Sequence, residues 1–422
     1  MESLVVTRLA LHPPAGGAPL RVSQMINALS RIGPVGVFTV APEQQALEPH
    51  PSASSWVHIS RSRGGGRDLI RRVARALRCR SWFLAPRGHA TAAALHSPQA
   101  AATLRGIVAD RNPELILIEE LWLYPYLRTL AGSRAKVVYD AHNVEGLLRE
   151  SLVGSKDSKQ RSRDTLLSTR TRRAERQLCQ SVDAVWVCSE IDGEAIRNLY
   201  GRAISTHVVP NTVDHLAYAD IRKSRGNQQR ARSADAFTIV FPAVFAYPPN
   251  AVAAEFFIQQ VLPLIRTHIN DVRLLLVGRS PTATLLAAAS ASGGAIEVTG
   301  AVPSIGPYFS AADVIVVPLL HGGGTRLKIL EAFAAKVPVV STTKGAEGLN
   351  AAHGEHLLIA DTAEELAQAA LKLAREPQTA QALAESAYAL VLRDYSSDAL
   401  HRTLSIAVGS LGLADARLVE NA

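Results

Sequence analysis

The sequence contains few cysteines and no long apolar run. Its three cysteines, Cys79, Cys179 and Cys188, are scattered over 422 residues without a CxxC pair, so neither a zinc site nor a disulfide framework is predicted. No apolar run approaches the roughly 20 residues that cross a bilayer, and residues 1–8 lack the regions typical of a signal peptide. We therefore expect a cytoplasmic protein without a membrane-spanning segment.

Three ligand-binding patterns are also missing from the sequence. The chain has no Asp-x-Asp pair, no G-x-x-x-x-G-K-[ST] and no G-x-G-x-x-G. The first absence, with no other cluster of hard ligands in the sequence, predicts chemistry without a metal. The other two disfavour a P-loop ATPase and a standard dehydrogenase. A composition of 47% hydrophobic and 19% charged residues excludes a mainly disordered or collagenous chain.

Positive charge is in excess, and it is concentrated in two segments. Lys plus Arg is 45 and Asp plus Glu is 37, a formal charge of +8, which favours an anionic partner. Residues 58–88 hold nine arginines and one acid, and 68–79 has the spacing of a basic amphipathic helix. We predict that 61–87 docks on an anionic membrane surface. The alternative is an ordinary helix with its arginines in water, and the basic stretch 156–176 allows the same two interpretations.

Short apolar runs alternate with helical spacing along most of the chain, which is typical of parallel α/β domains. The first half opens as strand, Pro/Gly loop, helix and strand, at 4–11, 13–19, 20–32 and 35–40. Further strands in this half are predicted at 115–118, 136–139, 184–188 and 207–209. The second half repeats the pattern, with strands at 237–241, 273–277, 296–299, 314–317 and 337–341.

A polar segment, 221–234, separates the two halves. It contains five Lys or Arg residues and almost no hydrophobic residue, so we interpret it as a linker. The predicted domains are 1–220 and 235–395, with 396–422 expected to pack back on the first domain. Because open parallel sheets bind ligands beyond the carboxyl ends of their strands, two such sheets facing one another predict a ligand in a cleft between the domains.

The most informative segment is a glycine-rich loop that follows a predicted strand and opens a helix. Its backbone offers free N–H groups close to a ligand at Gly322, Gly323, Gly324 and Thr325. The helix N-terminus favours negative charge, and Lys328 and Glu331, three residues apart, share a helix face. Such a pair suits a diphosphate and a ribose; the alternative is a turn before a salt-bridged surface helix.

This loop resembles the donor-sugar loop of retaining family 4 glycosyltransferases, in the form GGGTRLKxLE, and the likeness continues through 332–349. Other parts of the family pattern occur in the expected order: Pro14, Gly16, Gly17 and Arg21, then DAHNVE at 140–145, VPNTVD at 209–214, PN at 249–250 and VGR at 277–279. The resemblance spans nearly the whole chain. It implies the GT-B fold, an α/β architecture of two facing Rossmann-like domains with a cleft between them.

The resemblance implies roles at the donor loop. Glu331 matches the second of two family glutamates, which binds the ribose hydroxyls, whereas Gly323 stands where the first, a donor-sugar contact, is expected. This departure puts the identity of the sugar in doubt, not the nucleotide. The triple-glycine form resembles a subgroup associated with cell-surface polysaccharide assembly.

A second departure concerns the diphosphate. The loop 242–250 lacks the Arg and Lys that the family commonly places there. We predict that Lys328, Arg326 or Arg279 supplies the charge that a departing diphosphate needs, with Lys328 favoured because it shares the face of Glu331. Arg326 has a structural salt bridge as its alternative. Glu347 is expected to reach the donor or to be an exposed loop carboxylate.

His142 follows the strand at 136–139 and therefore belongs at its carboxyl end. The resemblance implies that it contacts the donor sugar, whereas a loop histidine bonded to backbone is the ordinary interpretation. Asp140 or Glu145 is expected to orient the ring, and Glu145 has an acceptor contact or a helix cap as alternatives.

The loop after the first strand is the predicted acceptor or phosphate loop. Gly16 and Gly17 are expected to bring backbone N–H groups to the reacting phosphate or acceptor, or to form only a turn. Arg21 is assigned to the same loop, although an arginine one turn into a helix is more often solvated.

These features together predict a retaining, metal-independent glycosyltransferase without a cofactor. It would move a sugar from a nucleoside-diphosphate donor, with UDP or GDP expected, to a glycan, lipid-linked or other cell-surface acceptor, at the inner face of the cell membrane. One alternative is a non-hydrolysing sugar-nucleotide epimerase, which shares the fold. The others are a non-catalytic sugar-nucleotide sensor and a basic nucleic-acid-binding protein, although no nucleic acid is expected because the arginine clusters lack interleaved aromatic residues.

Overall fold

The computed structural model describes residues 1–12, 16–42, 48–61, 90–151, 158–231, 236–323 and 326–413. They form two compact units. As far as it is described, the first comprises Met1–Pro210, Gly323–Thr325 and Leu400–Ala422, and the second Asn211–Gly322 and Arg326–Ala399. Each unit is built on one parallel sheet, which confirms the predicted α/β class.

The sheet of the first unit has seven strands, and every pairing in it is parallel. In chain order they are β1 (Ser3–Thr7), β2 (Val35–Pro42), β3 (Ser55–Arg61), β4 (Leu115–Glu119), β5 (Lys136–Ala141), β6 (Ala184–Val187) and β7 (Thr206–Val208). Across the sheet the order is β3-β2-β1-β4-β5-β6-β7. Strands β4 and β5 are therefore neighbours, and their register pairs Glu119 with Asp140.

Helices connect most of these strands, because parallel strands need long crossover connections. They are α1 (Gly17–Ser30), α2 (Ala90–Leu95), α3 (Pro98–Arg111), α4 (Glu145–Ser151), α5 (Ser158–Cys179) and α6 (Glu190–Tyr200), with a 3₁₀ helix at Leu121–Thr129.

The sheet of the second unit has six strands, again paired in parallel. They are β8 (Phe237–Pro242), β9 (Val272–Val277), β10 (Ile296–Gly300), β11 (Val314–Val317), β12 (Val339–Ser341) and β13 (Leu358–Ile359), in the order β10-β9-β8-β11-β12-β13. The helices that follow α6 in the chain are α7 (Ala219–Ala231), α8 (Pro248–Phe256), α9 (Leu262–Arg266), α10 (Ala283–Ala291), α11 (Gly306–Ala311), α12 (Leu327–Ala334), α13 (Thr343–Ala346), α14 (Ala363–Arg375), α15 (Pro377–Leu390) and α16 (Ser397–Gly409). The described residues also form a 3₁₀ helix at His215–Tyr218 and π turns at Phe257–Val261 and Val391–Tyr395.

The core of the first unit draws on both ends of the chain. All five residues of β1 and of β4 are buried. Against one face of this sheet pack Met25 and Leu29 of α1 together with Leu400 and Leu404 of α16. Burying one such side chain stabilises the fold by about 1.5–3 kcal/mol, so the last helix contributes substantially to the unit that the first residues begin.

The predicted strand at 4–11 is too long. The observed strand β1 ends at Thr7, because the Thr7 hydroxyl oxygen accepts a hydrogen bond from the Leu9 N–H at 3.1 Å. This local side-chain turn takes the chain away from β2 and into the loop before α1.

The predicted linker at 221–234 is wrong over most of its length. Residues 219–231 form helix α7, since Arg, Lys, Gln and Ala are good helix formers even without an apolar face. The buried Arg225 guanidinium donates to the carbonyls of Phe309 and Ala312, and Arg222 donates to those of His215 and Ala334. Hydrogen bonds from these two arginines therefore hold α7 against its neighbours, a role that apolar side chains usually have.

Among the described residues, no helix is both long and apolar enough to cross a bilayer. The amphipathic helix predicted at 68–79 lies outside the described residues, as does the docking segment 61–87 apart from Arg61 in β3. The basic stretch 156–176 falls largely on helix α5.

Candidate active site

A buried cluster of charged side chains lies at the carboxyl edge of the first sheet. Glu119 ends β4, and Asp140 lies beside it on β5. His142 follows β5 directly, where the sequence places it. All three side chains are buried, so their charges must be satisfied by one another or by nearby groups.

Arg21 of α1 supplies the cation of this cluster. Its Nε and Nη2 atoms donate to Asp140 Oδ2 and Oδ1 at 2.8 and 2.5 Å, and Nη1 donates to the Val209 carbonyl at 2.9 Å. The side chain is only 1% exposed, so the solvated alternative is wrong, while the role of Arg21 in the acceptor or phosphate loop stays a prediction. The buried Asp140 carboxylate holds the Arg21 side chain in this position. Although burial opposes ionisation, the Arg21 guanidinium holds the pKa of Asp140 well below its usual range.

The imidazole of His142 contacts two carboxylates through the same nitrogen. Nε2 lies 2.9 Å from Glu119 Oε2 and 3.3 Å from Asp140 Oδ2, so that nitrogen carries a proton. Burial alone would lower the pKa of His142, but the hydrogen bonds with Asp140 and Glu119 outweigh it and raise this pKa to about 10. Burial, followed by the charge of Asp140, raises the pKa of Glu119, whereas the hydrogen bond with His142 and the charges of His142 and Arg21 favour its ionised form.

Two polar atoms of this cluster have no hydrogen-bond partner among the described residues. They are Glu119 Oε1 and His142 Nδ1, both fully enclosed by protein atoms. Buried polar atoms are nearly always satisfied by protein, water or ligand. The orphaned pair therefore indicates a polar ligand or an ordered water at this edge.

Glu119, Asp140 and His142 are also a group that could hold a metal ion, with one potential ligand atom from each lying within 4.8 Å of the others. Both oxygens of Asp140, however, already accept from Arg21, and His142 Nε2 faces Glu119. Arg21 and a protonated His142 already balance the two carboxylates, so the cluster as built favours internal ion pairs over metal coordination.

Among the described residues, Glu145 forms neither a hydrogen bond nor an ion pair with the ring that it was expected to orient. It opens the short helix α4, whose first N–H groups, on Glu145 and Gly146, donate to the buried Glu175 carboxylate at 2.8 Å each. The two carboxylates that contact His142 are instead Asp140 and Glu119. Burial raises the pKa of Glu145.

Gly16 and Gly17 form the entrance to α1. Gly16 precedes the helix with φ at 103°, a conformation that only glycine adopts readily, and its carbonyl accepts from the Leu20 N–H at 3.1 Å. Gly17 is the first helical residue. Pro14, the other member of the predicted loop, lies outside the described residues.

The glycine loop lies between strand β11 and helix α12 of the second unit, as the sequence predicts. Gly322 has φ at 104°, and a Cβ there would come within 3.0 Å of the Pro249 side chain and 3.1 Å of the Tyr247 hydroxyl. The position therefore requires glycine on two grounds. Gly324 and Thr325 lie outside the described residues.

Lys328, in the first turn of α12, is a partly buried cation. Its Nζ donates to Asn250 Oδ1 at 2.9 Å and lies 4.9 Å from the centre of the Phe241 ring. Among the described residues no carboxylate oxygen lies within 4.0 Å of this nitrogen. Burial, reinforced by the charge of Arg326, lowers the pKa of Lys328 to about 7 against the opposing effect of Glu331.

Glu331 lies on the same helix face and is held by a residue from outside the loop. The Tyr218 hydroxyl donates to Glu331 Oε1 at 2.9 Å. Burial raises the pKa of Glu331, although Tyr218 and Lys328 oppose the shift. The structure thus places a partly buried lysine and a partly buried glutamate one helical turn apart, in the arrangement that their spacing predicts.

The remaining predicted donor residues have different surroundings. Arg326 is buried and its Nη2 lies 3.5 Å from Glu347 Oε2, while Lys344 lies 2.6 Å from the same oxygen. This is the salt bridge that was the alternative for Arg326. Arg279 follows β9 with an exposed side chain, and its carbonyl accepts from the Phe245 N–H.

Two family models match the chain. The model described as "Glycosyl transferase 4-like domain" matches residues 16–212, and that described as "Glycosyl transferases group 1" matches residues 236–376. Together they match about four fifths of the chain. The chain is a glycosyltransferase.

Solved structures give this glycosyltransferase the GT-B fold. Sucrose-phosphate synthase from Thermosynechococcus elongatus is 18% identical, with a TM-score of 0.71 over 98% of this chain and 100% of that one. HepE from Anabaena, in complex with UDP and glucose, is 14% identical, with a TM-score of 0.64 over 97% and 99%. WaaG, a glycosyltransferase involved in lipopolysaccharide biosynthesis, is 14% identical, with a TM-score of 0.61 over 97% and 100%.

A curated relative covers only part of the glycosyltransferase. It is an uncharacterized 44.6 kDa protein in the cps region of Klebsiella pneumoniae, 25% identical over 166 residues. This match spans 38% of the present chain and 42% of the relative.

Sequence reasoning missed two residues of these sites. Glu119 follows the apolar run 115–118. A polar residue directly after a predicted strand is the same signal that identified His142, so Glu119 was predictable from the sequence. Tyr218 had no such signal, because it contacts Glu331 across 113 positions of the chain.

Proposed function

We propose that this glycosyltransferase transfers a sugar, with retention of configuration and without a metal ion, from a nucleoside-diphosphate sugar to a glycan or lipid-linked acceptor. Lys328 is the observation that carries the proposal. A partly buried ammonium group that faces no carboxylate at ion-pair distance among the described residues suits an anionic ligand. The diphosphate is the group of that charge that a sugar-nucleotide donor provides.

The residues fit a division of labour on the donor. Lys328 binds the diphosphate, the backbone of 322–325 adds N–H donors, and Glu331 accepts hydrogen bonds from the ribose hydroxyls. His142 acts on the reacting sugar, as the family resemblance implies. UDP is the first nucleotide to test, since HepE was solved with UDP and with UDP-glucose.

In the proposed reaction the bond between the anomeric carbon and the diphosphate oxygen breaks as the acceptor oxygen attacks from the same face. The acceptor proton passes to the leaving diphosphate. Lys328 stabilises the negative charge that develops on that diphosphate, which is the largest electrostatic demand of the step. The WaaG and Klebsiella matches support a cell-surface glycan acceptor, and docking through 61–87 on the cytoplasmic side of the membrane is part of the same proposal.

Thermal unfolding with UDP, GDP, TDP and ADP, without added metal, tests the donor site. A nucleotide at about 100 times its Kd should stabilise the protein by roughly 2.7 kcal/mol, and the selective one names the donor class for a transfer assay. No shift with any of the four would contradict the proposal. Conversion of the sugar nucleotide in the absence of an acceptor would favour the epimerase instead.

Glu331→Gln should weaken binding of the selected diphosphate about ten- to a hundredfold, because a hydrogen bond to a charged group is worth about 1.5–3 kcal/mol. Binding of the 2′,3′-dideoxy nucleotide, which lacks the hydroxyls, should be nearly the same in variant and wild type. Isothermal titration calorimetry measures both, with the exposed Glu385→Gln as the matched control. Equal losses for the two nucleotides would contradict the ribose contact.

Nucleotide affinity should fall as the pH rises above 7. The lowered pKa of Lys328 means that the free protein loses this proton from about pH 7 upward, whereas the bound diphosphate favours the charged lysine and raises its pKa. Binding then takes up a proton, and the affinity falls by up to about tenfold per pH unit. Titrations between about pH 7 and 8.5 should show this slope in the wild type and not in Lys328→Met; equal slopes would assign the proton elsewhere.

A further inference from the structure

Glu119 is a buried ionisable group to which neither the sequence pattern nor the proposed reaction assigns a role. Its side chain is 0% exposed. The residue is the last of strand β4 and lies beside Asp140 of strand β5. A carboxylate is costly to bury unless it is paired. The group that it faces is His142, at 2.9 Å.

The geometry divides the two nitrogens of the His142 ring. Nε2 faces Glu119 and Asp140, so it is a donor and its orientation is fixed from that side. Nδ1 is buried and has no partner among the described residues. It is therefore the ring atom that remains for a ligand.

The charges around His142 come from several elements, and they are not equivalent. Asp140 on β5 is held by both arms of Arg21, so its charge is largely balanced. Cys188, after β6, contacts the His142 carbonyl at 3.5 Å, and Glu145 on α4 acts on the ring only through its charge. Glu119 Oε2 bonds to the ring, and Oε1 has no partner in the described chain. Glu119 is therefore the carboxylate whose charge is available to His142.

We propose that Glu119 is a positioning residue for sugar transfer: it holds the His142 ring through Nε2–H and keeps the imidazole protonated, so that Nδ1–H is left to donate to an oxygen of the sugar. The inference rests on the proposed function, in which His142 acts on the reacting sugar. The raised pKa of His142 agrees with the geometry.

Glu119→Gln tests the proposal, with Glu120→Gln as the matched control. The amide keeps a hydrogen-bond acceptor for Nε2–H but removes the charge. The neighbouring Glu120 pairs with Arg8 at 2.7 Å instead of with His142. In ¹⁵N NMR titrations, assigned with His142→Gln, the pKa of His142 should fall by about 1–3 units in Glu119→Gln and stay unchanged in Glu120→Gln.

Turnover gives a second readout. The alkaline limb of kcat should move to lower pH by the same amount in Glu119→Gln, with KM and the kcat at lower pH little changed. Glu119→Asp, which restores the charge, should move both the limb and the pKa back toward wild type. A role in stability alone would lower the melting temperature without moving either.

Two results would overturn the proposal. One is a His142 pKa that is the same in Glu119→Gln and wild type. The other is a His142 that is already neutral at pH 8 in the wild-type protein, a measurement that stands even if Glu119→Gln does not fold. Because the titration needs no substrate, it decides the role of Glu119 even if the transfer reaction fails with every donor.

Discussion

Lys328→Ala is expected to lower kcat/KM for sugar transfer by about a hundred- to a thousandfold, the usual loss when one preorganised group that stabilises developing charge is removed. The partly buried ammonium of Lys328 contacts an amide oxygen and an aromatic face, so an arriving diphosphate displaces no carboxylate partner described in the structure. Because burial disfavours the charged lysine before the ligand arrives, its removal should cost little folding stability. Initial rates and thermal melts on the same preparation separate the two effects.

Lys336→Ala is the matched control for this substitution. Lys336 follows the same helix, but it is partly exposed and pairs with Glu385, so its removal deletes the same charge away from the glycine loop. Its rate should stay within about threefold of wild type, since exposed ion pairs contribute about 0–1 kcal/mol. A Lys328→Ala enzyme as fast as Lys336→Ala would remove the lysine from the mechanism.

Arg21→Met should lower the free energy of unfolding of the first unit by about 3–5 kcal/mol, because it leaves the Asp140 carboxylate buried without its cation. For a unit of this size that corresponds to roughly 10 °C in Tm. The double variant Arg21→Met/Asp140→Leu, which removes both charges, should recover most of the loss. Differential scanning calorimetry measures the transitions of all three proteins.

Arg8→Met calibrates that result. The ion pair of Arg8 with Glu120 differs from the buried pair in its exposure. Its side chains are 31% and 14% exposed, against 1% and 0% for Arg21 and Asp140. A partly exposed pair should be worth at most about 1 kcal/mol. If Arg21→Met melted within a degree or two of Arg8→Met, the buried pair would not be the strong contact that its geometry indicates.

Most strands of the two sheets and the position of the glycine loop were predictable because their signals are local, although β3 and β13 were not predicted. Apolar runs such as 115–118 and 314–317 became strands β4 and β11, and the three-residue spacing of Lys328 and Glu331 fixed their shared face before any tertiary contact was known. Periodicity and glycine content suffice where the neighbours in space are also neighbours in the chain.

The errors have the opposite origin. Residues 221–231 lack the apolar pattern of a packed helix, yet Arg225 holds them through carbonyls more than 80 positions away. The buried ion pair of Arg21 was not predicted, because its partner Asp140 lies 119 positions along the chain. In both cases a long-range hydrogen bond of arginine decides burial, and a single sequence carries no record of that partner.

The contribution of α16 to the first core sets an order for folding during synthesis. Leu400 and Leu404 pack in the same hydrophobic layer as Met25 and Leu29. The second unit, Asn211–Gly322 and Arg326–Ala399, lies between these two parts of the first unit in the sequence. At 5–20 residues per second, the roughly 190 residues made after Pro210 take about 10–40 s. During that interval the core between α1 and the first sheet lacks the side chains of α16. The first unit, whose synthesis begins first, therefore completes its core only after the second unit has been made.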